Sequence, residues 1–137
     1  NLDYFLECID IAQGYGGRSD LLLFHEFPIT GFSEWTREQH YAIALEIPGP
    51  ETEEVAKRAK KYNCYIVFGT YAKDPKNWPG HILHVMAMVK PDGSRPWGHV
   101  FAANPIAEHL TGDRFRIYFS SRDVENRSAI GWITTLR

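Results

Sequence analysis

One carboxylate in this chain stands where chemistry is easiest to place. The run Asp20-Leu21-Leu22-Leu23-Phe24-His25-Glu26-Phe27-Pro28-Ile29-Thr30-Gly31 sets four apolar residues ahead of Glu26, with a Pro and a Gly soon after it. Such an apolar run reads as a strand buried on both faces, the pattern of a parallel sheet with helices on either side. An ionised Glu at the end of a buried strand is costly unless it is paired, hydrogen-bonded or used. In open α/β sheets the carboxyl ends of the strands are where ligands sit. Glu26 is therefore the leading catalytic candidate. The alternative is a carboxylate that only accepts backbone N–H bonds at a strand end.

The other reactive residue types are less well placed. Cys8 lies in an amphipathic helix and Cys64 beside the apolar run Tyr65-Ile66-Val67-Phe68, where a thiol behaves as a small buried hydrophobe. His81 and His84 sit three apart on a strand, so they point to opposite faces and do not share a metal ion. Gly14, Gly16 and Gly17 follow a helix and precede a strand, the wrong polarity for a phosphate cradle. Neither metal nor cofactor is expected.

Helices and strands around Glu26 can be placed from periodicity. Leu2, Phe5, Leu6, Ile9 and Ala12 or Gln13 make one helical stripe. Thr36-Arg37-Glu38-Gln39 fits a capping box opening a short helix that runs through Leu45. After Pro48-Gly49-Pro50, a third helix begins with Glu51, Glu53 and Glu54 and ends with Lys57, Arg58, Lys60 and Lys61, an order that complements the helix dipole. The basic cluster is thus a solvated helix end. Strands are expected at about 64–71 and 82–89, separated by a polar loop with Pro75 and Pro79. From Ser94 to Gly112 the periodicity vanishes. Residues 114–121 then alternate polar and apolar, 122–127 turn, and 128–135 return, which makes a β-hairpin.

The stretch Phe24-His25-Glu26-Phe27-Pro28-Ile29-Thr30-Gly31-Phe32 resembles the first catalytic motif of the nitrilase superfamily, the carbon–nitrogen hydrolases. The resemblance continues through Pro48-Gly49-Pro50-Glu51-Thr52, Ala59 to Gly69, and Val89-Lys90-Pro91-Asp92-Gly93, in the family's order. It covers residues 1–94. It implies an α-β-β-α sandwich, subunits paired through a sheet-extending interface, and hydrolysis of an amide, carbamoyl amine or nitrile. The implied machinery is a Cys nucleophile, a Glu general base and a Lys that stabilises the developing charge. Glu26 matches the base. In the family the Lys follows the Asp-Gly turn. Here Ser94-Arg95-Pro96-Trp97-Gly98-His99-Val100-Phe101-Ala102 follows instead, and no Lys occurs after Lys90. Neither Cys8 nor Cys64 occupies the family's nucleophile position. The chain as written is therefore expected to be inactive.

Residues 104–137 resemble something else. Gly112-Asp113 to Asp123, Asn126-Arg127-Ser128 and Ile130-Gly131 are similar to a blade of the five-bladed β-propeller glycosidases. That resemblance implies sugar contacts for Arg122 and Asp123; read from the residues alone, the pair is a salt bridge at a turn. Three readings follow: a carbon–nitrogen hydrolase, a carbohydrate-binding module, or a fragment or fusion joined near residues 94–104.

The expectation is thus an α/β chain. Residues 1–94 form a truncated, partial α-β-β-α sandwich layer, 95–112 an irregular junction, and 113–137 an antiparallel β-hairpin. With 44% hydrophobic and 14% aromatic residues among 137, the chain can bury a core. A net charge of −2, evenly spread, gives no footprint for nucleic acid. No apolar run approaches the ~20 residues that span a bilayer, and no basic leader precedes an apolar stretch. Two cysteines do not make a disulfide scaffold, so a reducing cytoplasm is the default compartment. The expected partners are a small amide or nitrile and further copies of the chain. A truncated sheet with an open strand edge would also favour association.

Overall fold

A computed structural model describes residues 1–15, 17–93, 101–112, 114–122 and 128–136. The elements run α1 (Leu2–Gly14), β1 (Leu21–Leu23), α2 (Arg37–Ile43), β2 (Leu45–Glu46), α3 (Pro50–Tyr62), β3 (Tyr65–Asp74), β4 (Trp78–Val89), β5 (Phe101–His109), β6 (Arg114–Arg122) and β7 (Ser128–Leu136).

The first sheet is built around β3. Along one side of it, β1 pairs in parallel with Tyr65–Val67 and β2 with Ala72–Lys73; along the other side β4 pairs antiparallel. Successive residues of β3 point to opposite faces. Ile66 and Phe68, with Ala87 and Val89 of β4, pack against Phe5, Leu6 and Ile9 of α1 and Val55, Ala56 and Ala59 of α3. Val67 and Met88 face the other way and bury against Ile117 of β6. A second, antiparallel sheet in the order β5-β6-β7 therefore covers the face that the helices leave open. The layers run helices, sheet, sheet, which makes the chain α/β and consistent with part of an α-β-β-α sandwich.

Local chemistry explains most boundaries. Gln13 closes the glycine-rich loop by donating from Nε2 to the Ser19 carbonyl and accepting the Ser19 N–H at Oε1. The capping box at Thr36 and Gln39 is formed, although α2 ends at Ile43, short of Leu45. The helix α3 opens with Pro50 in its first turn and stops at Asn63, which takes a left-handed conformation (φ 52°). Asp10 joins α1 to α3 through Lys61, Arg58 and the Tyr62 hydroxyl, which donates to its carboxylate. The expected loop around Pro75 and Pro79 is only a tight turn. There the Asp74 carboxylate accepts from the backbone N–H groups of Lys76 and Asn77, and β4 starts at Trp78.

Two expectations need correction. Strand β1 is not buried on both faces: Leu22 is buried, whereas Leu23 is 39% exposed. It is a short strand that pairs with β3 over three residues, Leu21–Leu23. Within the expected irregular junction, residues 101–109 are a strand. The register between β5 and β6 slips between Ala103 and Ile106, so Asn104 and Pro105 form a bulge. A Pro lacks the N–H a ladder needs and is tolerated in an outer strand at such a bulge. The tail is accordingly a three-stranded sheet that contains the expected hairpin. Residues 94–100, Asp123 and the remainder of the 123–127 turn lie outside the described residues.

Candidate active site around Glu26

Beyond β1, the chain carrying Glu26 keeps its pairing with β3 for another turn of the ladder. Phe24 N–H donates to the Val67 carbonyl (2.9 Å) and Gly69 N–H to the His25 carbonyl (3.2 Å). Gly69 is what allows this approach. A Cβ there would lie 2.4 Å from the Glu26 carbonyl oxygen and 2.8 Å from its Cα. The His25 Nδ1 accepts the Phe27 N–H (3.3 Å), turning the chain away from the strand direction. Gly31 then closes the turn with a hydrogen bond from its N–H to the Phe27 carbonyl (3.0 Å) and a φ of 72°. Glu26 is fixed by backbone contacts on both sides of it.

Phe27, buried immediately after Glu26, anchors a stack of rings. It lies against Tyr71 (4.4 Å between centroids), His84 (4.9 Å) and Phe32 (5.7 Å). Tyr71 and His84 are directly opposed across the β3–β4 ladder. On the far side of Tyr71, His40 of α2 meets its ring edge-on at 5.0 Å, and Trp35 meets His40 at 5.6 Å. The Glu26 side chain is 39% exposed beside this stack of rings, with Oε1 2.9 Å from His84 Nε2. That approach is close, but it lacks the angles of a hydrogen bond, and His84 Nε2 has no other partner. Burial pushes the His84 imidazole below its ordinary value, opposed by the charge of Glu26. The Tyr71 hydroxyl is pushed up by burial and then by the same carboxylate. Both residues are therefore neutral beside an acceptor-only group at neutral pH.

The remaining reactive groups are elsewhere. Cys64 is fully buried beneath the helices, its thiol raised chiefly by desolvation, with Gln13 opposing. This is the environment of an inert core thiol. Cys8 is half-buried on α1. His81 is exposed, and its Nδ1 lies 3.1 Å from the Pro79 carbonyl oxygen. Among the described residues, no three His, Cys, Asp or Glu side chains converge as a metal site. An open cavity of about 830 Å³ lies among Thr30, Trp35, Leu45, Glu46 and Lys73, but Glu26 does not line it. Arg122 ends β6, paired with Phe101 and Ser128; its side chain, like Asp123, lies outside the described residues.

Sequence reasoning missed Gly69 and the partnership of His84 with Glu26. A lone Gly inside the apolar run Tyr65–Phe68 and Thr70 was a usable signal, since it often marks a close approach of another backbone. His84 carried none, because its place opposite Tyr71 depends on the antiparallel register.

Comparison with known proteins agrees with this architecture. The sequence profile of the carbon–nitrogen hydrolase family matches residues 1–109, and the chain belongs to that family. Nitrilase 2 of Arabidopsis thaliana is 29% identical over 94 residues, covering 57% of this chain and 26% of that protein. The uncharacterized protein Rv1502 of Mycobacterium tuberculosis is 54% identical over 41 residues, covering 30% of this chain and 14% of that protein. Crystal structures of an N-terminal amidase with a Gln-Val or a Gln-Gly peptide are similar in fold, with a TM-score of 0.60 in both cases. Their identities are 18% and 19%, over 97% of this chain and 35% of theirs. The chain thus spans about a third of those amidases and 14% of Rv1502. With a likeness extending over 97% of the chain, and with Ile117 buried against the first sheet, the tail gains no support as a propeller blade. No helix among the described residues is long and apolar enough to cross a membrane.

Proposed function

We propose that this chain carries the general-base portion of a carbon–nitrogen hydrolase site, with Glu26 as the base and an amide, carbamoyl amine or nitrile as the substrate class. The observation that carries this reading is the placement of Glu26. Its backbone lies against Gly69 just past the end of β1, and its half-exposed side chain sits beside the stacked rings of Phe27, Tyr71 and His84. A carboxylate so held can take the proton of an attacking nucleophile without first reorganising its own backbone.

The rest of the machinery is not supplied here. Cys8 and Cys64 are the only thiols, Cys64 is sealed in the core, and no lysine follows Lys90. The chain as written is catalytically silent on this reading, because removing members of a catalytic unit costs orders of magnitude in rate. A simple aliphatic amide should give no product burst with it. A burst that disappears in Glu26→Gln would overturn the silence.

The base role is tested by a chimera in which residues 1–93 replace the matching segment of an active family member that supplies Lys and Cys. Glu26→Gln in that chimera should lower kcat by about 10²–10⁴-fold. Unchanged turnover would remove Glu26 from the mechanism. The same reading has copies of the chain pairing with one another, which analytical ultracentrifugation reads directly.

A further inference from the structure

We infer that His84 is the positioning residue for the Glu26 carboxylate, holding it as a free base while the imidazole is neutral and capturing it as an ion pair when the imidazole takes a second proton. This rests on the reading of Glu26 as the base and adds a partner from a different strand.

The argument is geometric. The His84 ring is pinned on one face by Phe27, 4.9 Å away and within 22° of parallel, and Tyr71 opposes it across the ladder. Its side chain is only 19% exposed, so it has little room to swing. From that position Nε2 lies 2.9 Å from Glu26 Oε1. A lone pair on Nε2 would face an anion at that distance, so the adjacent carboxylate selects the tautomer with the proton on Nε2. The present angles are off-axis, as is common for catalytic hydrogen bonds before a substrate tightens the site.

Other titratable or charged groups around the ring come from three elements. Glu26 approaches from the end of β1, the Tyr71 hydroxyl from β3, and His40 from α2 behind Tyr71. Arg37 of α2 reaches β4 only at the Gly80 carbonyl. Glu26 is the group in direct contact, and the coupling between the two must be reciprocal.

The test is an NMR titration of the whole isotope-labelled chain over about pH 4 to 8, where imidazoles titrate. Glu26→Gln, which keeps the side-chain shape, should lower the His84 midpoint by about one pH unit through loss of the adjacent charge. The Glu26 carboxylate carbon should move at the His84 midpoint, and that movement should vanish in His84→Gln. A His84 midpoint unaltered by Glu26→Gln would overturn the inference. So would a Glu26 resonance blind to His84, provided the amide spectra of both variants overlay the parent away from the site. The chimera described above decides the base role independently. Turnover unaffected by Glu26→Gln would sink that role, whereas the titration decides the His84 contact.

Discussion

The two faces of the first sheet are held in different ways. On one side Phe68, Ile66 and Val89 sit under two helices in a continuous apolar core that includes the edge-to-face pair of Phe5 and Phe24. On the other side Val67 and Met88 meet the second sheet at Ile117, with Leu21, Tyr65 and Met86 only partly covered. The outward face of the second sheet leaves Ile106, Ile130 and Trp132 exposed. Arg116 lies over the Trp132 ring at 5.0 Å, and Tyr118 donates to Glu108 at 2.8 Å. Among the described residues, the helix side carries the larger buried cluster, and the sheet side meets the third layer at Ile117. Glu26 belongs to neither core. It sits at the strand ends, where a catalytic group can be positioned by the helix-backed sheet without being buried in it.

Truncating each core sharpens this contrast. Phe68→Ala should cost about 3–5 kcal/mol and lower the urea midpoint of the whole chain. Ile117→Ala deletes a smaller side chain and should cost about 2–4 kcal/mol. Hydrogen exchange should show the difference: β5–β7 lose protection while α1 and α3 keep theirs. Equal loss of protection in both layers would show that the two cores unfold as one.

Gly69→Ala comes next, at about 1–3 kcal/mol, because the new methyl collides with the Glu26 backbone rather than with a yielding side chain. Shifts of the Glu26 and Phe27 amide resonances should accompany that loss. Thr36→Ala should cost about 1 kcal/mol by removing the cap on α2, and it should loosen the edge contact of His40 with Tyr71. Thermal unfolding of the variant measures this.

The smallest effect depends on pH. The folded-state value of His84 lies below its ordinary 6.5, so its contribution is complete above that value. It is lost as pH falls through the folded value, because the unfolded chain takes up the proton first. Asp10 acts in a separate window. Burial would raise its carboxyl, but hydrogen bonds from Tyr62 and Lys61 and the charges of Lys61 and Arg58 hold it below its ordinary 3.8. Its contribution is therefore present above 3.8 and lost at lower pH. His84→Gln should lessen the fall in Tm as pH drops below 6.5 and leave the more acidic limb in place.

Much of this could be read in the sequence where one element decides the outcome. The stripe of α1, the capping box of α2, the charge order of α3 and the return of β6 into β7 all depend on neighbours a few residues away. Glu26 was legible because an apolar run, a carboxylate and a Pro and Gly adjoin in the chain. What escaped depended on register. The strand at 101–109 was hidden by Asn104-Pro105, which reads as a break until the bulge between Ala103 and Ile106 absorbs it. His84 meets Glu26 only because β4 lies antiparallel on β3 with Tyr71 opposite, and no local pattern records that pairing.

The same bulge bears on how the molecule behaves in company. Among the described residues, strand β5 is one of the two outer strands of its sheet, β7 being the other, and an outer strand is where a stray extended chain would add itself. Pro105 interrupts the row of donors such a newcomer would need, and the slipped register twists the strand away from a flat template. One awkward dipeptide thus makes this edge a poor template for a newcomer, on a sheet that also exposes Ile106, Ile130 and Trp132.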